Sequence, residues 1–197
     1  DAPVVPELSI KPQRAQILAI SLVLGVLLGM GLAFLRNSLR PGIKDPADIE
    51  SATGLHVFAT VPHSAAQDNL SKLIKAQALG KHLLAIIQPD APGVESLRSL
   101  RTALQFAMLD APNNIVLFTG PTPGIGKSFT STNFAAVLGA SGKRVLLIDA
   151  DMRKGHLHQF FGMKRGEGLS ELITGTRVLS DTVRRSVVPG LDLITTG

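Results

Sequence analysis

An uncharged apolar run of 21 residues, Ala15–Leu35, constrains this chain more than any other feature of its sequence. A helix of that length spans roughly 30 Å, which is the thickness of the hydrocarbon core of a bilayer. A signal peptide is a competing interpretation, but the run is long for one and no small-x-small cleavage site follows it. A buried core helix is the other alternative, although such helices usually carry a polar stripe. The run therefore predicts a transmembrane helix over residues 15–36.

The rest of the sequence divides around this run. Residues 1–14 contain three prolines and predict an extended connector. Residues 37–82 predict a juxtamembrane linker with a short helix from Asp45-Pro46 through Ser51 and a strand over Leu55–Val61. Residues 83–197 predict one further domain. The final Leu191–Gly197 resembles a strand cut at its end, so we expect a fragment of a longer protein.

Composition excludes several classes of function. The chain contains no cysteine, which excludes a disulfide framework within it and cysteine-ligated metal sites. Twenty Lys and Arg against fifteen Asp and Glu give a net charge of +5. Basic residues are not interleaved with aromatic ones, so we expect no nucleic-acid partner. We attribute the excess charge to anionic lipid beside the bilayer and to phosphate binding.

Apolar strands alternate with helices from residue 83 onward. The pattern predicts strands over Leu83–Ile87, Ile115–Thr119 and Arg144–Ile148, with helices over Val94–Leu109 and up to about Ala140. Continuous apolar strands between helices are typical of a parallel sheet covered on both faces. We therefore predict an α/β fold of the P-loop NTPase type, with a parallel sheet and flanking helices, preceded by one transmembrane helix.

A glycine-rich loop, Gly120–Ser128 (GPTPGIGKS), lies between a predicted strand and a predicted helix. Glycines let several backbone N–H groups point at one anion, and the following helix adds its positive end. Lys127 can reach the β- and γ-phosphates, and the Ser128 hydroxyl can ligate Mg²⁺. The strict P-loop pattern requires glycine where this chain has Pro121, and Gly120 lies one residue earlier. A plain glycine-rich turn is the alternative.

Two carboxylates, Asp149 and Asp151, come directly after a buried-type strand. The carboxyl ends of neighbouring parallel strands face one crevice, so both acids are expected near the phosphate loop. Carboxylates beside an anion site repel the anion unless a metal joins them, which implies Mg²⁺. The alternative is that one of the two only caps a following helix.

Three sequence segments together resemble a known family. They are ESLRSLR (95–101), PTPGIGKS (121–128) and LLIDADMRKG, which ends at Gly155. They are similar to the bacterial tyrosine autokinases of capsule and exopolysaccharide export, which join a membrane-spanning chain-length-determinant module to a cytoplasmic P-loop kinase. Partition ATPases of the Min and Par type share the aspartate motif but carry a lysine where this chain has Thr122.

The resemblance implies roles for individual residues. Lys127, Asp149 and Asp151 would be catalytic, with ATP and Mg²⁺ as cofactors. Ser128, Asp149 and Asp151 would hold the metal. The nucleotide-binding set would be Gly124, Ile125, Gly126, Lys127, Ser128, Phe129 and Arg153.

The resemblance also implies partners and a location. Glu95, Arg98 and Arg101 match an element that links subunits into a ring, and a neighbouring subunit would present the tyrosine tail. The polysaccharide export machinery would be a further partner. The domain would lie in the cytoplasm beneath the bacterial inner membrane. A partition-type ATPase, and a chain-length determinant with a regulatory nucleotide site, remain the alternatives.

Overall fold

The computed structural model describes residues 14–38, 45–63, 65–76 and 80–197. Contacts divide the chain into two compact units, residues 1–55 and 56–197, and each is described by itself. Apart from Arg14, the predicted connector over residues 1–14 lies outside the described residues, as do residues 39–44, 64 and 77–79 of the predicted linker.

The first unit contains the predicted apolar helix. Helix α1 covers Arg14–Ser38, and its large apolar side chains from Ile17 to Leu35 are exposed. The 23 residues from Arg14 to Arg36 are long and apolar enough to cross a bilayer, and none of the apolar stretch is buried against protein. A core helix would bury its apolar side chains, so this exposure argues against the buried-helix alternative. The membrane crossing itself stays a prediction.

Helix α2 (Pro46–Thr53) begins at the predicted Asp45-Pro46 pair. The Asp45 carboxylate accepts the backbone N–H of Ala47 at 3.0 Å, which satisfies one of the free donors at the helix start. Gly54, with φ +68°, ends the helix and donates its N–H to the Glu50 carbonyl at 2.8 Å. The prediction of a short helix here is confirmed.

The second unit combines helices with a small sheet. In chain order its elements are α3 (Ala65–Lys75), α4 (Leu84–Ile87), α5 (Pro92–Ala107), α6 (Lys127–Ala140), β1 (Val145–Ile148), α7 (Leu157–Phe160), α8 (Leu169–Ile173), α9 (Leu179–Thr182), β2 (Val183–Val188) and β3 (Leu191–Ile194). The predicted helices α5 and α6 and the strands β1 and β3 are confirmed. The sequence reasoning missed α3, which lies in a polar stretch.

Strand pairing is parallel in one half of the sheet and antiparallel in the other. The strand order is β1-β3-β2, with β1 parallel to β3 and β2 antiparallel to β3. Two antiparallel strands can be joined by a two-residue turn, whereas parallel strands need a crossover. Pro189 and Gly190, the latter at φ +76°, form such a turn between β2 and β3. Parallel pairing is therefore present between β1 and β3, whereas β2, which the sequence analysis did not predict, pairs antiparallel with β3.

Helix α6 lies between two apolar clusters and is the centre of the unit. One cluster contains its Ala135 and Ala136 with Leu191 and Leu193 of β3. The other contains its Phe134 and Val137, packed with side chains of α3, α4 and α5. Because both clusters use α6, the helix that follows the glycine-rich loop is held from two sides.

Two predicted strands in the N-terminal part of this unit are wrong. Residues 54–63 form neither helix nor strand, and Leu55 and Phe58 are exposed. Residues 83–87 form the single helical turn α4, which buries Leu83 and Leu84 against α6 and leaves Ile87 half exposed. A five-residue apolar run fits a strand and a buried helical turn equally well, so packing decides between them.

The predicted strand Ile115–Thr119 is not a regular strand within the described residues. In the described residues the sheet contains β1, β3 and β2, and the segment 115–119 is not one of its strands. Ile115 and Leu117 are exposed, as is about half of Leu146. In the described residues, β1 is therefore only partly covered on the side of Leu146.

We predict that Asn133→Ala lowers the free energy of unfolding by about 1–3 kcal/mol. The Asn133 side chain is fully buried in α6; it donates to the Phe129 carbonyl at 2.8 Å and accepts the N–H of Ala85 at 2.9 Å. Alanine leaves the part-buried Ala85 donor without this acceptor. Urea titration followed by circular dichroism measures the change.

Asn69→Ala is the matched control, because Asn69 is an exposed asparagine in helix α3. Its effect should stay within about 0.5 kcal/mol. Equal effects of the two substitutions would contradict the assigned role of Asn133.

Candidate functional site

The glycine-rich loop enters α6 through two glycines in left-handed backbone conformations. Gly124 has φ +81° and Gly126 has φ +98°, values that side-chain-bearing residues rarely adopt. Gly126 precedes the first residue of α6, and its carbonyl accepts the N–H of Thr130 at 2.8 Å. The N–H groups of the first helical turn have no acceptor inside the helix, so they are available to an anion.

Lys127, the first residue of α6, is folded back over this loop. Its Nζ donates to the Thr122 carbonyl at 3.1 Å. The ammonium group therefore lies on the same loop whose amides can bind an anion. A phosphate held there would meet a positive charge, a helix N-terminus and backbone donors together.

The strict P-loop pattern requires glycine at the position of Pro121, and the structure gives a role to Gly120, which lies one residue earlier. A Cβ atom on Gly120 would collide with the Ile125 side chain and would also approach Lys127 Cδ. The earlier glycine thus makes room for the loop to fold back on itself. Sequence reasoning named Gly120 without giving it this role, because only the folded loop brings it beside Ile125.

Asp149 lies at the carboxyl end of β1. It is 4% exposed, and its backbone N–H donates to the Ile194 carbonyl at 2.9 Å, which extends the parallel β1–β3 ladder by one residue. Its carboxylate accepts the N–H of Asp151 through Oδ1 at 3.3 Å and the N–H of Leu157 through Oδ2 at 3.0 Å. Both oxygens therefore bind the backbone of the segment that follows β1.

Asp151 is exposed and has a different environment. Its Oδ1 accepts the N–H groups of Lys154 at 3.0 Å and Arg153 at 3.2 Å. The Lys154 amide is the main cause of a lowered pKa of Asp151, and the Arg153 amide and the charges of His156 and Lys127 lower that pKa further. Asp151 is therefore ionised at neutral pH and lies within electrostatic reach of Lys127.

The donor set suits Mg²⁺, which usually takes one or two carboxylates together with phosphate oxygens and water. Asp151 is exposed, and both of its amide bonds use Oδ1, so Oδ2 can take a cation or its water. Ser128 is part-buried at the start of α6, next to Lys127. No group of three or more metal-ligating side chains occurs in the described ranges, so such a cation would depend on phosphate oxygens for the rest of its ligands.

The remaining predicted site residues are spread over the unit. Ile125 is half exposed on the loop and Arg153 is exposed after Asp151, whereas Phe129 packs against the apolar cluster beneath α6. That packing argues for a core role of the Phe129 side chain. Phe129 can contact a nucleotide through its backbone.

The predicted ring residues lie on α5. Glu95 and Arg98 form an exposed ion pair with 2.8 Å between oxygen and nitrogen. Arg101 lines a cleft of about 1270 Å³ between α5 and the sheet, and Lys127, Asp149 and Asp151 are not among the residues that line it. The role of these three residues between subunits stays a prediction.

Two family models match the chain. The model described as "CobQ/CobB/MinD/ParA nucleotide binding domain" matches residues 116–186, which include the loop and both acids. The model described as "G-rich domain on putative tyrosine kinase" matches residues 1–38, which include α1.

Several curated proteins match the chain over nearly its whole length. The chain is 57% identical to the putative tyrosine-protein kinase EpsB of Ralstonia solanacearum, across all of this chain and 26% of that protein. It is 45% identical to the tyrosine-protein kinase ptk of Acinetobacter johnsonii, across all of this chain and 27% of that protein. The chain thus spans about a quarter of the length of these relatives.

Solved kinase domains share the fold. The BceF tyrosine kinase domain superposes with a TM-score of 0.71 at 50% identity, over 79% of this chain and 63% of that one. The kinase domain of the Escherichia coli tyrosine kinase ETK gives a TM-score of 0.71 at 38% identity, over 79% of this chain and 61% of that one. The predicted P-loop α/β fold is confirmed by these likenesses and by the nucleotide-binding family model.

We predict that Gly126→Ala strains the loop by about 1–2 kcal/mol, because an L residue at this positive φ is disfavoured. Nothing lies within 4 Å of the added methyl group, so the effect is one of backbone conformation. The free loop can relax out of this strained conformation, which nucleotide binding then has to restore, so nucleotide affinity should fall about 10-fold, which corresponds to that free energy. Calorimetric titration with ADP measures the affinity.

Gly142→Ala is the control, because Gly142 has φ +83° and equally open space but lies in the turn after α6. It should lower stability by a similar amount and leave ADP affinity unchanged. A parallel loss of affinity in both variants would show that global destabilisation, and not the loop, is responsible.

A second prediction concerns the pH dependence of the protein's stability. His158 is buried in α7, and burial is the main cause of its lowered pKa, with a further contribution from the charge of Arg165. The unfolded chain therefore binds a proton near pH 6.5 that the folded chain rejects, so stability should fall as the pH drops below that value. His158→Gln should flatten this pH dependence of the melting temperature between pH 7 and pH 5. An unchanged slope in the variant would assign the pH dependence to other groups.

Proposed function

Because the chain belongs to the family of bacterial tyrosine-protein kinases, we propose that it forms the membrane anchor and nucleotide-binding part of an ATP-dependent protein-tyrosine autokinase. The observation that carries this proposal is the glycine-rich loop at the start of α6, over which Lys127 is folded onto the Thr122 carbonyl. Asp151, which follows β1, is near enough for the charge of Lys127 to act on its carboxylate. A phosphate site with an adjacent carboxylate is what phosphoryl transfer needs.

Phosphate binding depends on the loop and on the start of α6. The free amides of the loop and of the first helical turn would donate to the phosphate oxygens. Lys127 would exchange its bond to the Thr122 carbonyl for the β- and γ-phosphates, so that its charge offsets the negative charge that moves as the γ-phosphoryl group leaves. Gly124, Ile125, Gly126, Ser128 and Phe129 would contribute mainly backbone contacts.

Ser128 and the acid pair Asp149 and Asp151 are the groups that would hold Mg²⁺. The ion would supply positive charge that offsets the negative charge of the phosphate oxygens. Arg153, exposed beside Asp151, would add a positive charge at the rim of the site.

Transfer to tyrosine requires that the phenolic hydroxyl lose its proton, which it holds with a pKa of about 10 in isolation. Asp151 is the better-placed acceptor of the two acids, because it is exposed whereas Asp149 is buried. Its lowered pKa keeps the carboxylate ionised and able to accept a hydrogen bond from the incoming hydroxyl. Proton transfer itself would be late, since the transition state is loose.

The acceptor tyrosine must come from outside these 197 residues, which contain none. We propose that it lies on a tail presented by a neighbouring subunit of a ring. Glu95, Arg98 and Arg101 would form that contact, since the pair on α5 is exposed and can exchange partners across an interface. Exposed ion pairs contribute little within one chain, so exchange between subunits costs little.

Helix α1 would place the enzyme at the bacterial inner membrane, with the nucleotide-binding unit in the cytoplasm where ATP is found. The proposed role is control of capsule or exopolysaccharide polymerisation together with the export machinery. Residues 1–38, which include α1, match a family model for a domain on tyrosine kinases. This match supports a kinase that carries its own membrane anchor.

The decisive experiment is Lys127→Met in the protein at its natural length, in bacterial membranes. We expect phosphotyrosine to fall at least about 100-fold, because one preorganised positive donor to the transferring group is lost. Lys143→Met is the control, since Lys143 is an exposed lysine in the turn between α6 and β1. Immunoblotting for phosphotyrosine and release of inorganic phosphate are the two readouts.

Other outcomes separate the alternatives. ATP hydrolysis that depends on Lys127, without phosphotyrosine, would favour a partition-type ATPase. If neither activity is present and polymer length is still controlled, the protein is a chain-length determinant with a regulatory nucleotide site.

The proposed orientation of helix α1 across the membrane gives a further prediction. These 197 residues contain no cysteine, so single cysteines can report on either side of α1 once any cysteine elsewhere in the protein has been replaced by serine. Ser9→Cys should react with a membrane-impermeant maleimide in intact spheroplasts, whereas Ser51→Cys should react only after lysis. Absence of the N-terminal segment from the mature protein would instead support the signal-peptide alternative.

A further inference from the structure

The excess positive charge of the chain belongs to its second unit. Residues 1–55 contain five Lys and Arg and five Asp and Glu, whereas residues 56–197 contain fifteen Lys and Arg against ten Asp and Glu. The net charge of +5 is therefore carried by the unit that contains the glycine-rich loop. Lys127 and Arg153 have proposed roles at the phosphate site, but several of the other cations have none.

Three of these cations lie in a stretch without acidic residues. Residues 69–89 contain no Asp or Glu but three lysines, Lys72, Lys75 and Lys81. All three lysines are exposed, and among the described residues no carboxylate forms an ion pair with them. The acid that precedes the stretch, Asp68, has its Oδ1 at 3.1 Å from His63 Nε2. The three charges are therefore available to a partner outside the chain.

Helix α3 is fixed to the core by the side opposite to its lysines. Its residues Leu70 and Ile74 are buried, one in each of the two apolar clusters. With 3.6 residues per turn, Lys72 points away from these two residues, and Lys75 follows on the same outer side. Leu73, at the border of that side, is 44% exposed. The core thus holds two lysines and one apolar side chain at the surface.

Lys81 is held near the same part of the core. The residue that follows it, His82, donates its N–H to the Phe160 carbonyl at 2.8 Å. Phe160 and Ile74 of α3 belong to one apolar cluster. The backbone next to Lys81 and the end of α3 are therefore attached to a common base.

A lipid surface fits this combination of residues. Lysines beside an exposed leucine are typical of segments that lie at a membrane interface, where the apolar side chain inserts and the ammonium groups meet anionic headgroups. The stretch contains no Phe, Tyr or Trp on which a nucleic-acid base could stack. Residues 39–55 connect α1 with the second unit, so an anchored α1 keeps this surface at a high local concentration relative to the headgroups.

We propose that the outer side of α3, together with Lys81, is a docking surface for the anionic headgroups of the membrane in which α1 is anchored. The proposal rests on the proposed membrane anchor and is independent of the kinase activity. Docking through α3 would give the second unit one preferred orientation toward the bilayer. The contact would be electrostatic and reversible, because it involves three lysines and only one exposed leucine.

The test uses the protein at its natural length in lipid nanodiscs, without nucleotide. Ala76 is exposed and one turn after Lys72, so a fluorophore on Ala76→Cys reports from the docking surface once any cysteine elsewhere has been replaced by serine. Lipids with spin-labelled headgroups quench the fluorophore where it meets the bilayer. We expect strong quenching when about one lipid in three is phosphatidylglycerol, and little in pure phosphatidylcholine. Equal quenching in the two lipids would overturn the proposal.

Removal of the three charges should abolish docking. The triple variant carries Lys72→Gln, Lys75→Gln and Lys81→Gln. The ratio of docked to undocked protein should fall roughly 100-fold, because each lysine near an anionic surface contributes about 5-fold. The melting temperature of the variant shows that it is folded. Quenching that persists in the folded variant would contradict the assignment.

A second triple variant separates this surface from the net charge of the unit. It removes three exposed cations from other segments, Lys143→Gln, Arg144→Gln and Lys164→Gln. Quenching should change less than about 3-fold, because these side chains lie outside the proposed surface. An equal loss in the two triple variants would show that the unit is attracted by its total charge, and the role of α3 would be wrong.

Salt and soluble phosphate identify the kind of partner. In the unaltered protein, about 0.5 M potassium chloride should remove the quenching, because screening shortens the range of the attraction to a few ångströms. Inorganic phosphate added at constant ionic strength should leave the quenching unchanged. Displacement by inorganic phosphate would reveal a site for a small anion in place of a lipid docking surface.

The outcomes separate this proposal from the proposed function. If the protein does not enter nanodiscs, the membrane anchor is wrong and the docking surface is wrong with it. If the protein enters nanodiscs but the fluorophore is not quenched, the anchor stands and the docking surface alone is rejected. Quenching in a protein that forms no phosphotyrosine would support docking and reject the kinase assignment.

Discussion

The site depends first on the burial of α6. This helix contributes to both apolar clusters of its unit, and eight of its fourteen residues are buried. Its first residue is Lys127, so the packing that fixes the helix also fixes the end of the glycine-rich loop. Without such packing, ordering a loop that contains two left-handed glycines would cost conformational entropy with little compensation. The loop is therefore preorganised by a core that lies mostly behind it.

The second requirement is the parallel pairing of β1 with β3. Because the pairing continues through Asp149 to Ile194, the chain leaves the sheet beside the end of β3, and the residues after β1 pack against Thr196. That contact and the Asp149 bond to Leu157 hold the segment that carries Asp151. The glycine-rich loop is thus held by α6, and the segment that carries Asp151 is held by the sheet.

Sequence predicted the features that rest on local chemistry and missed those that rest on packing. The Asp45-Pro46 helix start, helix α6 and the acids after β1 follow from neighbouring residues. Leu83–Ile87 was predicted as a strand but is a helical turn, because the Asn133 side chain, 48 residues later, accepts the Ala85 amide and fixes it against α6. The hydrogen bond from the Leu157 amide to Asp149 could not be predicted either, because a spacing of eight residues matches no regular hydrogen-bonding pattern.

The charge balance of the proposed phosphate site explains why a cation is expected there. Lys127 contributes one positive charge, and the N-terminus of α6 contributes the equivalent of about half of one. Two carboxylates oppose these charges and Arg153 adds a positive charge at the rim, so the phosphate site with its acid pair is close to neutral before any nucleotide binds. A triphosphate adds several negative charges, which backbone amides solvate but do not neutralise. A divalent cation held by Asp151 would offset this repulsion, so the exposed carboxylate would favour the metal complex of the nucleotide over the free nucleotide. The same carboxylate would weaken the binding of metal-free anions, which links the preference for Mg²⁺ to a single side chain.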